Sequence, residues 1–360
     1  MKILAIETSC DDTAIAIVEC FGKIDNVKTK ILANAISSQT MLHAKAGGII
    51  PNLAAREHEK NLIPVFNETL KQAKIKKDNL INEIDLVVVT RGPGLQPSLL
   101  MGLTFAKTLA YITKKPIVGA NHLLGHILSN LAKNNDVYEN KNKLPMVCLL
   151  VSGGHTQLYK INSWNKIELL GETLDDASGE CFDKIAKTLK LDYPGGVFIS
   201  KIADQFKLKN KNCKIEFNLP KPLINSKDYN FSFSGLKTAV LYLTQKLKKE
   251  KKLNKKTIEQ ICWEVQEVIT EVLVKKTIKL AKDINAKTIM ISGGVSANQR
   301  LRSKFIEQIN DQFEFLFPDK LMSTDNAVMM AIAGYYDYLK GKKDDCLTLE
   351  VDPNEEIKSN

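Results

Sequence analysis

Two of the five histidines in this 360-residue chain, His122 and His126, lie four positions apart in the segment NHLLGH (121–126). On a helix, residues i and i+4 occupy the same face about one turn apart, so both imidazoles could bind a single metal ion. The pair could equally be two hydrogen-bonded histidines without a metal. The spacing by itself leaves both interpretations open.

The same segment argues against one kind of metal chemistry. A zinc peptidase helix of the HExxH type needs a glutamate directly after the first histidine as its general base. The residue after His122 is Leu123, so the segment offers no such base.

Strand-like runs flank small-residue or acidic turns at three places along the chain. KILAIE (2–7) and AIAIVE (14–19) enclose the turn TSCDDT, and SGGHT separates two apolar runs within 146–161. A third apolar run ends in Ser292, Gly293 and Gly294, and a helix is expected to begin near Asn298. Gly-Gly turns let backbone amides approach an anion closely. A single turn of this kind is weak evidence for a phosphate site, and three are stronger evidence.

Strands alternate with amphipathic stretches, which predicts an α/β protein. Helices are expected at 56–76, 97–113, 176–190, 257–284 and 325–340. Because the strand–turn–strand design occurs twice, we expect two similar lobes, each opening with a β-hairpin.

This layout resembles the actin, Hsp70 and sugar-kinase (ASKHA) fold, in which a nucleotide binds in the cleft between the lobes. Lobe I is expected to span 1–120, completed by a C-terminal helix within 327–360. Lobe II is expected to span 121–326 and to carry the histidine pair and the nucleotide loops.

Lys and Arg number 51 against 41 acidic residues, a formal net charge of +10, which favours a polyanionic partner. Much of the excess lies in 246–256 and 133–143, which could also be solvated Lys/Asn-rich loops. The seven cysteines are scattered and form no CxxC pair, which argues against both a disulfide framework and a thiolate zinc site. No apolar run approaches the about 18 residues of a membrane span, so we expect a cytoplasmic protein without a membrane partner.

Ten motifs, in order along nearly the whole chain, resemble those of the tRNA N6-adenosine threonylcarbamoyltransferases, the TsaD family once described as glycoproteases. They are IETSCDDTA (6–14), GGIIPNLAAREH (47–58), GPGLQPSLLMG (92–102), NHLLGH (121–126), LLVSGGHTQL (149–158), TLDDASGECFDKIAK (173–187), YPGG (193–196), FSFSGLKTA (231–239), SGGVSANQRLR (292–302) and STDNAVMMA (323–331).

The resemblance implies an acyltransferase that modifies tRNA. Such an enzyme moves the threonylcarbamoyl group from threonylcarbamoyl-adenylate to N6 of the adenosine 3′ to the anticodon, in tRNAs that read codons beginning with adenosine, and releases AMP. The implied partners are a shorter paralogous protein of the actin-like fold and a P-loop ATPase. A zinc metallopeptidase and a small-molecule kinase of the actin-like fold are the alternative functions.

The resemblance also implies one divalent metal ion, iron(II) or alternatively zinc, held by His122, His126 and Asp325. For Asp325, helix capping near Ser323 is the local alternative. Asp11 is the implied catalytic residue, with a turn-forming role as the alternative.

Substrate and nucleotide contacts are implied for eight residues. They are Leu150, Val151, Ser152, Gly153, Gly154, Asp183, Gly196 and Asn298. For Asp183 a solvated helix face is the alternative, and for Asn298 a helix cap.

Three positions depart from the family pattern, namely Leu124 between the histidines, Ala46 and Asn52. The family commonly has glutamate at the position of Leu124, where an acid could orient an imidazole. We therefore expect that support to be missing here.

Overall fold

The computed structural model describes residues 1–24, 26–132, 143–210, 212–309 and 311–357. The Lys/Asn-rich stretch 133–143 thus lies outside the described residues except for Lys143. The chain divides into two compact units, one formed by 1–141 with 318–360 and the other by 142–317.

The strands, in chain order, are β1 (Lys2–Glu7), β2 (Asp12–Phe21), β3 (Lys28–Ser38), β4 (Leu86–Gly92), β5 (Ile117–Asn121), β6 (Met146–Val151), β7 (Thr156–Ser163), β8 (Lys166–Glu172), β9 (Thr288–Ser292) and β10 (Glu314–Leu316). The helices are α1 (Thr40–Ala46), α2 (Pro51–Ala73), α3 (Leu80–Glu83), α4 (Gln96–Thr113), α5 (His122–Ser129), α6 (Ser178–Thr188), α7 (Gly195–Lys209), α8 (Ser234–Lys249), α9 (Lys255–Asp283), α10 (Gln299–Ile309), α11 (Lys320–Ser323) and α12 (Ala327–Leu339). The five helices expected from the sequence correspond to α2, α4, α6, α9 and α12.

The two units contain sheets of the same topology. In the first unit the strand order is β3-β2-β1-β4-β5, and in the second it is β10-β9-β6-β7-β8, the equivalent order read from the other edge. Each central strand pairs antiparallel with the next strand of its hairpin and parallel with a later strand, as β1 does with β2 and β4, and β6 with β7 and β9. The predicted duplication of a hairpin-led α/β design is confirmed.

In the first unit the sheet is buried on both faces. Helices α2 and α4 cover one face, and α12 packs on the other against β1, β2 and β5. This explains why the middle of each strand, residues 3–6 of β1 and 14–18 of β2, consists of buried Ile, Val, Leu and Ala. Gly334 of α12 lets the helix approach β4 closely, because a Cβ at this position would lie 2.3 Å from Val88 Cγ2.

In the second unit the long helix α9 forms the centre of the core. It packs against α7 and α10, and buried residues occur at most positions along its 29 residues. Asn254 caps its N-terminus by accepting a hydrogen bond from the Thr257 amide. The core of this unit lies between α9 and the sheet strands β6 and β9.

The structure divides the chain differently from the expected boundary at residue 120. Helix α5 follows β5 directly and packs on α12, with Gly125 facing Met329 and Met330. The histidine pair and Asp325 therefore belong to the first unit rather than to the second. The physical reason is a long-range helix contact that the local sequence does not encode.

The described helices and cysteines bear on two further expectations. No helix among the described residues combines the length and hydrophobicity that a membrane span requires. All seven cysteines are free thiols, as predicted from their scattered positions.

Glu355, near the C-terminus, is expected to make the stability of the fold depend on pH. Burial raises the pKa of this carboxyl to about 7, although the charge of Arg91 opposes the shift. Since the folded protein then holds a proton that the unfolded chain releases near pH 4.5, the free energy of unfolding should fall as pH rises from about 4.5 to 7. Glu355→Gln should weaken this dependence in urea titrations between pH 4.5 and 8.

The exposed neighbour Glu350 provides the control for this measurement. Glu350→Gln should leave the pH dependence of the wild type unchanged. Identical pH profiles for wild type and Glu355→Gln would contradict the assignment.

Candidate functional site

The two histidines and Asp325 converge in the first unit. His122 and His126 occupy α5, whose N-terminus is capped by Asn121 accepting from the Leu124 amide at 3.0 Å. The Nε2 atoms of His126 and His122 lie 3.1 and 3.7 Å from Asp325 Oδ1, and one ligand atom from each residue falls within 4.8 Å of the others. Two imidazole nitrogens and a carboxylate oxygen suit zinc or iron(II) and leave coordination positions free.

Asp325 is not the cap of the helix that follows it. Asn326 caps α12 by accepting a hydrogen bond from the Met329 amide at 3.0 Å. The Asp325 side chain is 23% exposed, whereas both histidine side chains are buried. The carboxylate therefore meets the imidazoles at the border of the core.

A buried carboxylate that the sequence analysis did not single out contacts His122. Glu7 is the last residue of β1 and is fully buried. Its Oε2 lies 3.1 Å from His122 Nδ1, and its carboxylate also accepts hydrogen bonds from the Thr90 hydroxyl and the Ser9 amide. Leu124, the departure from the family pattern, is buried and contributes no polar group.

The segment after Glu7 is anchored to the start of α4. Thr8 Oγ1 donates to the Ser98 carbonyl at 2.9 Å, and the Leu95 amide donates to the Ser9 carbonyl at 2.8 Å. Ser9 Oγ lies 3.2 Å from His122 Nδ1. These contacts fix the turn that carries Asp11.

The electrostatics of this cluster are dominated by burial and by close opposite charges. Burial lowers the pKa of His122, but the carboxylates of Glu7 and Asp325 outweigh it and raise that pKa to about 9 in the metal-free protein. Burial raises the pKa of Glu7, and the charge of His122 and their hydrogen bond bring this pKa below its ordinary value. The two residues therefore form a buried ion pair when no metal is bound.

The two aspartates of the turn lie within electrostatic reach of Asp325. Burial, followed by the charge of Asp325, raises the pKa of Asp11 above its ordinary value. Burial also raises the pKa of Asp12, to about 7, although a hydrogen bond with Ser38 opposes the shift. A carboxylate with a raised pKa is a stronger base once it is ionised.

In the second unit the two glycines of the turn after β6 face open space. The predicted phosphate loop begins with Leu150 and Val151, which are buried in β6, so only their backbone could contact a ligand. Gly153 and Gly154 are exposed, and a Cβ at either position would meet nothing within 4 Å. Ser152 closes the turn, because its hydroxyl accepts a hydrogen bond from the His155 amide. Its carbonyl oxygen accepts a second hydrogen bond from the Gly179 amide at the start of α6.

Asp183 faces the start of α7. Its Oδ1 accepts from the Gly195 amide at 2.7 Å and from the Gly196 amide at 3.4 Å. The solvated-face alternative is thus not what the structure shows for Asp183. This carboxylate therefore connects α6 to the YPGG segment. Gly196 lies in the first turn of α7.

Asn298 combines a capping role with a side-chain network. Its Oδ1 accepts from the Leu301 amide at the start of α10, at 2.9 Å. Its Nδ2 donates to Ser200 Oγ at 2.8 Å and to Gln266 Oε1 at 3.2 Å. The capping alternative is therefore present, and the amide also links α7, α9 and α10.

Glu7, Ser9 and Thr90 are the site residues that sequence reasoning missed. The sequence places Glu7 at the end of the run KILAIE and within the motif IETSCDDTA, but neither pattern predicts a role for its side chain. A charged residue closing a fully apolar run next to a small-residue turn was the available signal, because a buried charge requires a partner.

Comparison with known proteins supplies the family. A family model described as "TsaD: tRNA N6-adenosine threonylcarbamoyltransferase" matches residues 30–332. Proteins named tRNA N6-adenosine threonylcarbamoyltransferase from Thermosipho melanesiensis, Thermosipho africanus and Clostridioides difficile are 47%, 44% and 41% identical to this chain. The alignments cover 93%, 99% and 98% of this chain and 94%, 100% and 98% of the relatives.

Among solved structures, HypF of T. kodakarensis superposes with a TM-score of 0.51 at 14% identity, covering 94% of this chain and 48% of HypF. This likeness concerns the fold alone and agrees with the ASKHA class that the duplicated sheet topology indicates. The family model and the relatives share one description over almost the full length. The chain therefore belongs to the tRNA N6-adenosine threonylcarbamoyltransferase (TsaD) family.

Proposed function

We propose that this protein transfers a threonylcarbamoyl group to N6 of adenosine in tRNA. The donor is threonylcarbamoyl-adenylate, and the acceptor is the adenosine 3′ to the anticodon in tRNAs that read codons beginning with adenosine. The amine attacks the carbamoyl carbon, the bond from that carbon to the phosphate oxygen breaks, and AMP leaves with the electron pair. The full-length match to the family carries this proposal.

The metal centre of the proposed enzyme consists of His122, His126 and Asp325. The convergence of their ligand atoms within 4.8 Å supports this assignment, as does the nitrogen and oxygen donor set. We assign iron(II), with zinc as the alternative. When bound, the ion supplies Lewis-acid polarisation of the threonylcarbamoyl group.

Other residues serve binding and proton transfer. The exposed backbone of the 150–154 turn suits the adenylate phosphate, and Asp183, Gly196 and Asn298 belong to the same proposed nucleotide site. Asp11 is proposed to accept the amine proton, since burial and the charge of Asp325 raise its pKa.

The alternative functions have less support. A zinc peptidase of the HExxH type needs a glutamate after the first histidine as general base, and this chain has Leu123 there. A small-molecule kinase does not account for the family match. We place the enzyme in the cytoplasm with its tRNA substrates, together with a shorter paralogous actin-fold protein and a P-loop ATPase.

The decisive experiment supplies synthetic threonylcarbamoyl-adenylate and unmodified tRNA to the purified protein, with and without the two partner proteins. Mass spectrometry of the digested tRNA should detect threonylcarbamoyladenosine, and AMP should appear in equal amount. The relative from Thermosipho africanus with its own partners serves as the positive control. If that control forms product and this protein with its partners forms none, the proposal is wrong.

The lysine-rich segment 246–256, which runs from the last turn of α8 to the first turn of α9, is expected to contact tRNA phosphates. Seven of its residues are exposed lysines, at positions 246, 248, 249, 251, 252, 255 and 256. Each phosphate contact adds about one to the slope of log affinity against log salt concentration. Replacing Lys246, Lys248 and Lys249 with glutamine should therefore weaken tRNA binding and reduce that slope by up to about three.

A second triple variant controls for the general loss of charge. Lys71, Lys76 and Lys77 are exposed lysines at the end of α2 and just beyond it, and their replacement with glutamine removes the same charge. Fluorescence titrations from 50 to 300 mM salt (roughly the range over which such slopes are measured) compare the two variants. Equal slopes of log affinity against log salt concentration for the two variants would show that the lysine-rich segment 246–256 has no specific role.

A further inference from the structure

We propose that Glu7 is a positioning residue for the metal centre, which keeps the proton of His122 on Nδ1 and so leaves Nε2 free as a ligand atom. This inference rests on the metal centre of the proposed function. It assigns a role to a residue outside the ligand set, 115 positions away from His122 in the sequence.

The contacts of Glu7 show that its carboxylate acts only as an acceptor. The Ser9 amide donates to Oε1, and the Thr90 hydroxyl donates to Oε2. His122 Nδ1 lies 3.1 Å from the same Oε2. An ionised carboxylate has no proton to donate, so a hydrogen bond at this distance requires the proton on Nδ1.

The tautomer of His122 decides whether it can bind a metal. A neutral imidazole carries one proton, and if Nδ1 holds it, the lone pair of Nε2 is available. That Nε2 atom is the one that faces Asp325, at 3.7 Å. Carboxylates that accept from the second nitrogen of a histidine ligand fix its orientation and raise its basicity.

The burial of Glu7 is consistent with such a role. A fully buried carboxylate is costly unless donors surround it. Here the donors come from β4 and from the turn after β1, and that turn is tied to α4 by hydrogen bonds. Donors on two sides, independent of His122, thus hold the carboxylate in place.

His126 lacks a comparable partner among the described residues. Its Nδ1 is buried and has no hydrogen-bond partner there. The proposed support therefore acts on one of the two imidazoles only, and loss of Glu7 should affect His122 specifically.

Glu7→Gln is the sharpest test because it preserves the size of the side chain but replaces one acceptor oxygen with an NH2 donor. Whichever way the amide is turned, its NH2 group faces either the Ser9 amide or His122 Nδ1. The second arrangement moves the His122 proton to Nε2 and blocks that ligand atom. The dissociation constant for Zn²⁺, measured by competition with a chromophoric chelator, should rise about 10- to 100-fold.

Glu264→Gln provides a matched control in the second unit. Glu264 is likewise buried and accepts from the backbone amides of Glu216 and Phe217. Its replacement should lower stability without changing Zn²⁺ affinity. Side-chain ¹⁵N spectra of the zinc-loaded proteins should show a proton on His122 Nδ1 in wild type and in Glu264→Gln, and a loss of this signal in Glu7→Gln.

The outcomes separate this inference from the proposed function. Wild-type zinc affinity and an unchanged His122 signal in Glu7→Gln would overturn the role of Glu7 alone. A wild-type protein that binds neither zinc nor iron(II) would overturn both this role and the metal centre. If circular dichroism shows that Glu7→Gln does not fold, Thr90→Val decides, because it removes one donor to Glu7: weaker zinc binding supports the inference, and unchanged binding overturns it.

Discussion

His126→Ala is expected to lose both the bound metal and the transfer activity while it retains the fold. Residues that only orient a ligand contribute about 10- to 100-fold to metal affinity, so removal of a ligand should lower affinity by more than about 100-fold. The transfer rate should fall at least as far, because without the ion the threonylcarbamoyl group is no longer polarised. Metal content by mass spectrometry and product formation by nucleoside analysis check the two effects.

Leu128→Ala separates loss of the ligand from damage to the helix. Leu128 is fully buried in the same helix, α5, but offers no metal ligand. Its truncation should lower the free energy of unfolding by roughly 2 to 5 kcal/mol and leave the metal content intact. A His126→Ala protein that keeps stoichiometric metal and wild-type turnover would show that the triad is not the metal centre.

Gly293→Ala is expected to disrupt the second unit at its proposed phosphate-binding edge. Gly293 has φ +83°, and a Cβ there would lie 2.4 Å from the Val151 carbonyl oxygen. The conformational strain and the clash each cost about 1 to 3 kcal/mol, so the free energy of unfolding should fall by roughly 2 to 6 kcal/mol. Because Val151 directly precedes the Ser152–Gly154 turn, the affinity for AMP should also fall, which isothermal titration calorimetry measures.

The adjacent glycine is the matched control. A Cβ at Gly294 would meet nothing within 4 Å, so Gly294→Ala should unfold at nearly the same urea concentration as wild type. Similar stabilities for the two variants would contradict the argument. A Gly293→Ala protein with wild-type AMP affinity would separate this turn from nucleotide binding.

Much of the architecture follows from local patterns. KILAIE predicts β1 with the bounds that the structure has, because continuous runs of apolar and β-branched residues are typical of strands buried on both faces. The recurrence of strand, turn and strand predicts the duplicated sheets. Helix ends are less well predicted: α2 starts at Pro51 rather than at residue 56, since proline is favoured in the first turn of a helix.

The site was predicted unevenly. The i, i+4 spacing predicts that His122 and His126 share a helix face, and the resemblance adds Asp325. Spacing could not identify Glu7, because Glu7 meets His122 only through the pairing of β1 with β4 and of β4 with β5, the strand that α5 follows. Nor could it place Asn326, rather than Asp325, as the helix cap, since either residue type is a good cap.

By itself, the sequence determined the α/β class, the repeated design and the family, because these depend on periodicity and on motifs that are contiguous in the chain. Only the tertiary structure decided which distant groups meet. Asp325 lies 3.1 Å from a histidine 199 positions away, and the histidine pair joins the first unit because α5 packs on α12. Such contacts arise from the burial of helix and sheet faces against each other, which no local stretch of residues specifies.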